Sequence, residues 1–220
     1  MERLAYPQGE IWLYWSFVEH IKDKLLPYKD FTPEYPPLSL PFFYLSGVFG
    51  AYWFSLLFYF MVGLFITGTA FLVYRMGKNP YVFLAPVLAL GTIFWDRFDI
   101  IPAFFTLLAF YFLQKNKRYI GIFILSFATL IKIYPIIFLP FFLWTKNREQ
   151  ILKSGLIFFI PIITIVTVTL LYGGSFNRLL SHGKRGITIE SLRATPILIE
   201  QLLGKRQAVV EYKNYSYEIR

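Results

Sequence analysis

Two carboxylates, Asp30 and Glu34, lie in the stretch Pro27-Tyr28-Lys29-Asp30-Phe31-Thr32-Pro33-Glu34-Tyr35-Pro36-Pro37-Leu38, directly ahead of a long apolar region. Proline fixes φ and disfavours helix in the residue before it, so this stretch is expected to be a stiff, extended loop. A carboxylate held on a stiff loop at a bilayer surface is suited to general-base work. The same loop would also serve as a plain lead-in to the membrane.

Cations gather at three other boundaries between apolar blocks. Trp95-Asp96-Arg97-Phe98-Asp99 packs three charges where charge is costly unless paired or wetted. Either an internal Asp–Arg pair caps that turn, or Arg97 faces an anion and the acids orient it. Lys132 sits three residues ahead of Pro135, placed either to snorkel to the interface or to meet a lipid phosphate. The run His182-Gly183-Lys184-Arg185-Gly186-Ile187-Thr188-Ile189-Glu190-Ser191 sets an imidazole and two cations within four residues, beside glycines. An Arg fork with glycine-flanked N–H groups suits phosphate recognition. An ordinary basic juxtamembrane loop has the same make-up.

The elements that must position these groups are set by hydropathy. Of 220 residues, 56% are hydrophobic, 21% aromatic and only 16% charged, against about a quarter charged in soluble domains. Apolar blocks separated by short basic clusters indicate an all-α, polytopic helical membrane protein with about six transmembrane helices. The spans are expected at 51–74, 81–95, 99–114, 119–133, 134–145 and 151–173. An interfacial helix is expected over Ile11 to Ile21, a lead-in segment over 37–49, and an amphipathic helix over Ser191 to Leu203. No cysteine is present, so thiolate chemistry and disulfides are excluded. The first residues, Met1 to His20, hold no clean apolar core of the kind a signal peptide needs.

The loops at 75–80, 114–118 and 145–153 together carry eight Lys/Arg and one acid, Glu149. Six crossings place all three on one side, which the positive-inside rule makes the cytoplasm. Segment 1–36, the 96–99 turn, Lys132 and the tail from Gly174 then share the exterior face. The expected organisation is an exterior loop region 1–36, a transmembrane bundle 37–173 and an exterior segment 174–220. The net charge of +9 is scattered through loops, which orients a membrane protein and gives no reason to expect nucleic acid.

Taken in order, Pro27-Tyr28-Lys29-Asp30-Phe31 with Glu34-Tyr35-Pro36-Pro37-Leu38, Arg97-Phe98-Asp99, Lys132-Ile133-Tyr134-Pro135, and His182 with Arg185-Gly186 and Glu190-Ser191 resemble the polytopic C-type glycosyltransferases. The likeness is to their polyprenyl-phosphate-mannose-dependent mannosyltransferase-like family in particular. The resemblance implies that Asp30 is the catalytic base, and that Arg185, His182, Lys132 and Arg97 bind the donor phosphate. Glu34, Asp99 and Glu190 would orient the site or the acceptor. It further implies a polyprenyl-phosphate sugar donor, a glycolipid or glycan acceptor, surrounding membrane lipids, and a multi-pass cell-membrane location with an extracytoplasmic active face. No cofactor is implied beyond the lipid-linked donor. Two acids on one loop are too few to argue for a metal site. Such enzymes begin with a helix ahead of the first exterior loop and continue with spans after the exterior segment. The chain is therefore expected to be the middle of a longer enzyme, or half of a split one whose missing helices a second chain supplies.

A non-enzymatic lipid-binding or transport module and an inactive fragment are the competing readings. A transporter would gather polar residues at mid-depth, whereas here they cluster at one surface. The absence of native cysteine makes topology directly testable by single-cysteine labelling. Thr32→Cys should react with a membrane-impermeant maleimide added outside intact cells while Lys78→Cys stays protected, and the opposite pattern would invert the assignment.

Overall fold

The computed structural model describes residues 10–145, 147–176, 187–188, 194–204, 210–213 and 216–219. His182, Arg185 and Glu190 lie outside the described residues. Residues 1–175 form one compact unit and 176–220 a second.

In the first unit, apolar residues at Ile11, Tyr14, Trp15 and Val18 recur at helical spacing and form the buried face of α1 (Glu10–Lys22). That face packs on α2 (Leu40–Gly47), which follows a short 3-10 turn at Pro37–Ser39. Prolines in the first turn of each element cost no hydrogen bond there, because those N–H groups lack intrahelical partners anyway. The Lys22 ammonium donates to the Gly47 carbonyl at 2.6 Å and so ties the ends of α1 and α2 together. α2, at eight residues, is too short to cross a bilayer.

α3 (Ala51–Arg75) and α9 (Arg148–Leu171) are long and apolar enough to span a membrane. Only 28% of the apolar window of α3 and 11% of that of α9 is buried within the protein. The core helix of a soluble protein would show the reverse. Leu56, Phe60 and Leu64 on α3, and Leu152, Leu156 and Ile160 on α9, recur every four residues and face outward, which water would penalise and hydrocarbon accepts. The chain is a helical membrane protein.

The remaining expected spans are shorter. α4 (Tyr81–Leu90) is separated at Gly91 from the one-turn α5 (Thr92–Trp95), and Pro86 lies inside α4. α6 (Ile100–Gln114) and α7 (Arg118–Ile131) have 15 and 14 residues, about 22 Å each against a hydrocarbon core of about 30 Å. The stretch expected as one span at 134–145 is a 3-10 turn, Tyr134–Phe138, followed by α8 (Leu139–Leu143). Pro135 and Pro140 account for the break, since neither can donate to a continuous helical ladder.

α6 and α7 form an antiparallel pair joined by a tight turn. Asn116 takes a left-handed conformation, φ 61°, and the Lys117 N–H returns to the Phe112 carbonyl at 2.8 Å, ending α6 as a Schellman-type cap. Ala109, Ile122, Leu125, Leu139, Phe142 and Phe158 make a core that joins α6, α7, α8 and α9.

The second unit contains α10 (Thr195–Leu202), within the stretch expected as an amphipathic helix. It also holds a small antiparallel sheet that the sequence did not suggest. Its strands are β1 (Ile187–Thr188), β2 (Val210–Lys213) and β3 (Ser216–Ile219), in the order β1-β3-β2 with Ile187 and Val210 both opposite Ile219. Strands of two and four residues carry almost no periodic signal.

A Cβ at Gly121 would lie 2.7 Å from the Ala109 carbonyl oxygen and 3.0 Å from the Phe142 ring. Gly121→Val must therefore push α7 off backbone, at a cost of about 1–3 kcal/mol. Thermal unfolding in detergent should show a clearly lowered midpoint, and an unchanged one would contradict the close α6–α7 approach.

Candidate functional site

The loop carrying Asp30 is organised around Tyr28. This residue sits at φ 68°, an outlier for a bulky side chain. It is held there by three hydrogen bonds. Its N–H donates to the Phe31 carbonyl at 2.7 Å, its hydroxyl donates to the Tyr35 carbonyl at 2.6 Å, and its carbonyl accepts from the Ser175 N–H at 2.7 Å. The last bond fastens the end of α9 to the loop. Gly174 permits the approach, since a Cβ there would meet the Thr169 carbonyl oxygen at 2.7 Å and the Tyr28 Cβ at 3.1 Å. Burial raises the Tyr28 hydroxyl pKa well above its usual 10.0, so the phenol stays a donor.

Beside this hub, Asp30 is exposed, and its Oδ2 accepts from the Leu26 N–H at 2.8 Å while its own N–H donates to the Leu26 carbonyl at 2.9 Å. The carboxylate is thus oriented by its own turn, as Asx-type turns do. Glu34 is buried, 8% exposed. The two acids that the sequence grouped together therefore occupy different environments.

The neighbouring Tyr35 ring enters an aromatic cluster. Tyr14 of α1 stacks on Phe43 of α2, with centroids 4.5 Å apart and planes 5° from parallel. Phe98 meets Tyr35 edge-on at 4.8 Å, Phe43 at 5.0 Å and Tyr14 at 5.7 Å. Phe58 of α3 lies 5.3 Å from Tyr14. Such edge and offset contacts add about 0.5–1.5 kcal/mol per pair to the burial itself.

Lys132 lies over this cluster. Its ammonium is 5.3 Å from the Phe98 ring and 5.8 Å from the Tyr35 ring, and it is paired with Asp99. Lys132 is 30% and Asp99 46% exposed, so the pair is half-wet and reachable by a ligand. The lysine turns in over the rings rather than snorkelling away. Asp96, at the other end of the same turn, accepts from the Tyr59 hydroxyl of α3 at 2.8 Å. The acids of the 96–99 turn thus engage α3 and the end of α7. Arg97 is half-buried between them.

The structure therefore brings the Pro27–Pro36 loop, the 96–99 turn, Lys132 and the end of α9 to one end of the first unit. The basic turns fall at the other ends of α6, α7 and α9. There Arg118 donates to the Phe142 and Trp144 carbonyls at 3.2 and 3.1 Å, and Lys153 lies 4.7 Å over the Tyr119 ring. Sequence reasoning missed Tyr28, Tyr35, Phe98 and Tyr59 as organising residues. Tyr35 and Phe98 stood inside the motifs already singled out, whereas Tyr59 lies in an apolar span and carried no signal. Among the described residues no group of three His, Cys, Asp or Glu could hold a metal ion.

An apolar helical frame thus holds carboxylates and a half-exposed, ion-paired cation at one end of its first unit. The family profile of Glycosyltransferase family 87 matches residues 31–189. That is well over half of the 220 residues, and the chain belongs to this glycosyltransferase family. The matched range holds Glu34, Arg97, Asp99, Lys132, His182 and Arg185, begins one residue after Asp30 and ends one before Glu190. No curated protein and no solved structure matches the chain.

Tyr28→Phe should leave the partly buried Tyr35 carbonyl without its donor, at about 1–2 kcal/mol. Amide exchange at Phe31 and Tyr35 should then quicken by about tenfold or more. Because the folded-state pKa is raised, the contribution of Tyr28 is full below the unfolded value of 10.0 and is lost as pH rises beyond it. Alkaline loosening of the loop should be weaker in the variant. Equal exchange and equal alkaline sensitivity in both proteins would remove Tyr28 as the clamp.

Proposed function

We propose that this glycosyltransferase moves a sugar, mannose in the first instance, from a polyprenyl phosphate to an acceptor hydroxyl on the extracytoplasmic face, with inversion. The observation that carries this reading is the convergence, in a family 87 chain, of the acid-bearing loop on the Lys132–Asp99 pair at one membrane boundary. A lipid-linked donor presents its phosphate at that level while its chain stays in hydrocarbon.

The Asp30 carboxylate accepts the hydroxyl proton as the acceptor oxygen attacks the anomeric carbon. The bond from that carbon to the phosphate oxygen breaks, and the lipid phosphate leaves with the electron pair. General-base help of this kind is worth about 10²–10⁴-fold. The departing phosphate gains negative charge, which Lys132 and Arg97 of the first unit stabilise; the family resemblance gives Arg185 and His182 the same role. Asp99 holds Lys132 in place, and Glu34 and Glu190 orient the acceptor. The scheme uses no metal, because one or two cations neutralise a phosphodiester monoanion.

Glu34 carries a second reading. It is buried beside Tyr35 and lies inside the matched range, which begins one residue after Asp30. Transfer from radiolabelled polyprenyl-phosphate mannose, in membranes containing the protein, separates the two. Asp30→Asn should lower turnover by about 100-fold or more with insertion intact, and Glu34→Gln should mainly raise the acceptor KM. The reversed pattern moves the base to Glu34, and full turnover in both variants would sink the carboxylate mechanism. Arg185→Ala should raise the donor KM more than the acceptor KM, and an unchanged donor KM would take Arg185 out of phosphate binding.

A further inference from the structure

At the end of the first unit away from the Lys132–Asp99 pair, a cavity of about 550 Å³ is lined by Asn116, Lys117, Arg118, Tyr119, Ile120 and Gln150. One full length of α7, about 20 Å, separates it from Lys132, so it is not a part of the site described above. Its lining is rich in hydrogen-bond donors and includes two cations and no carboxylate.

The donors are held in place. The Arg118 guanidinium is fixed by the Phe142 and Trp144 carbonyls, and its planar fork retains N–H groups beyond those two bonds. The Gln150 Oε1 accepts from the Thr145 hydroxyl at 2.9 Å, which leaves its amide N–H groups to donate. Lys153 is held over the Tyr119 ring and adds a further positive charge. Lys117 is exposed on the turn ended by left-handed Asn116.

Apolar surface adjoins this lining. Ile120 is part of it, Phe123 follows three residues on along the same face of α7, and both are exposed, as is Trp144, whose carbonyl Arg118 holds. A soluble anion has no use for that surface. A molecule with a phosphate head and acyl chains uses both parts.

We propose that this cavity is a binding site for an anionic phospholipid. The phosphate would sit among Lys117, Arg118, Tyr119 and Gln150, and an acyl chain would run along Ile120 and Phe123. The proposal does not depend on the glycosyl-transfer reading and is tested without any activity measurement.

Trp144 provides the probe, since Arg118 holds its carbonyl beside the cavity. The full chain in detergent is titrated with brominated phosphatidylglycerol or brominated phosphatidylcholine, and quenching of Trp144 is isolated by subtracting a Trp144→Phe control. Saturable quenching by phosphatidylglycerol at lower concentration than by phosphatidylcholine is expected, and Lys117→Gln should weaken it by about fivefold. Equal quenching by the two lipids would overturn the proposal. So would an equal loss in Lys78→Gln, which belongs to a different basic turn and would mark a diffuse surface field. Displacement of the lipid by glycerol phosphate at similar concentration would also overturn it, reassigning the cavity to a free phosphate.

Discussion

The aromatic cluster formed by Tyr14, Phe43, Phe98 and Tyr35 is the contact on which the rest of the candidate site depends. These four rings come from α1, α2, the turn before α6 and the acid-bearing loop. None of these pieces is long enough to span or to hold itself in a bilayer. Their positions are fixed by burial against one another, and Phe58 connects them to the spanning helix α3. Lys132 can lie at this boundary because the rings and Asp99 supply partners for its charge. Remove the rings and the ammonium would have to find water instead.

The first unit has two unlike ends. One combines carboxylates, tyrosines and a half-exposed cation, and its polar contacts run between elements: Tyr59 to Asp96, Lys132 to Asp99, and Ser175 to Tyr28. At the other end, basic turns cap broken helices, and Arg118 takes up carbonyls that the short α8 leaves without intrahelical donors. The strained Tyr28, next to the acid proposed as the base, is the kind of conformation that persists only when several partners over-determine it.

Much of the frame was legible in the residues. Blocks such as 51–74 and 151–173 announce themselves by length and hydropathy, and the structure places α3 and α9 there. The helix over 11–21 was expected, as an interfacial one, from its Trp/Tyr-rich make-up, and α1 covers it. Less legible were the stretches at 81–95 and 134–145. Their apolar content reads as continuous, but Gly91, Pro135 and Pro140 break the ladder. The strands of the second unit were hidden because their pairing joins Ile187 to Ile219 across more than thirty residues, and no local pattern encodes that.

By itself the sequence pointed to a helical membrane protein, and it set Asp30, Glu34, Arg97, Asp99 and Lys132 between apolar blocks or at their ends rather than within them. Those properties follow from composition and spacing, which are local. Only the tertiary structure decided that Lys132 pairs with Asp99 over Phe98 and Tyr35, that Tyr59 reaches Asp96, and that the end of α9 is fastened to Tyr28. Each of these contacts joins residues far apart in the chain, and a charge in a low-dielectric boundary takes whatever partner the packing of the helices brings within reach.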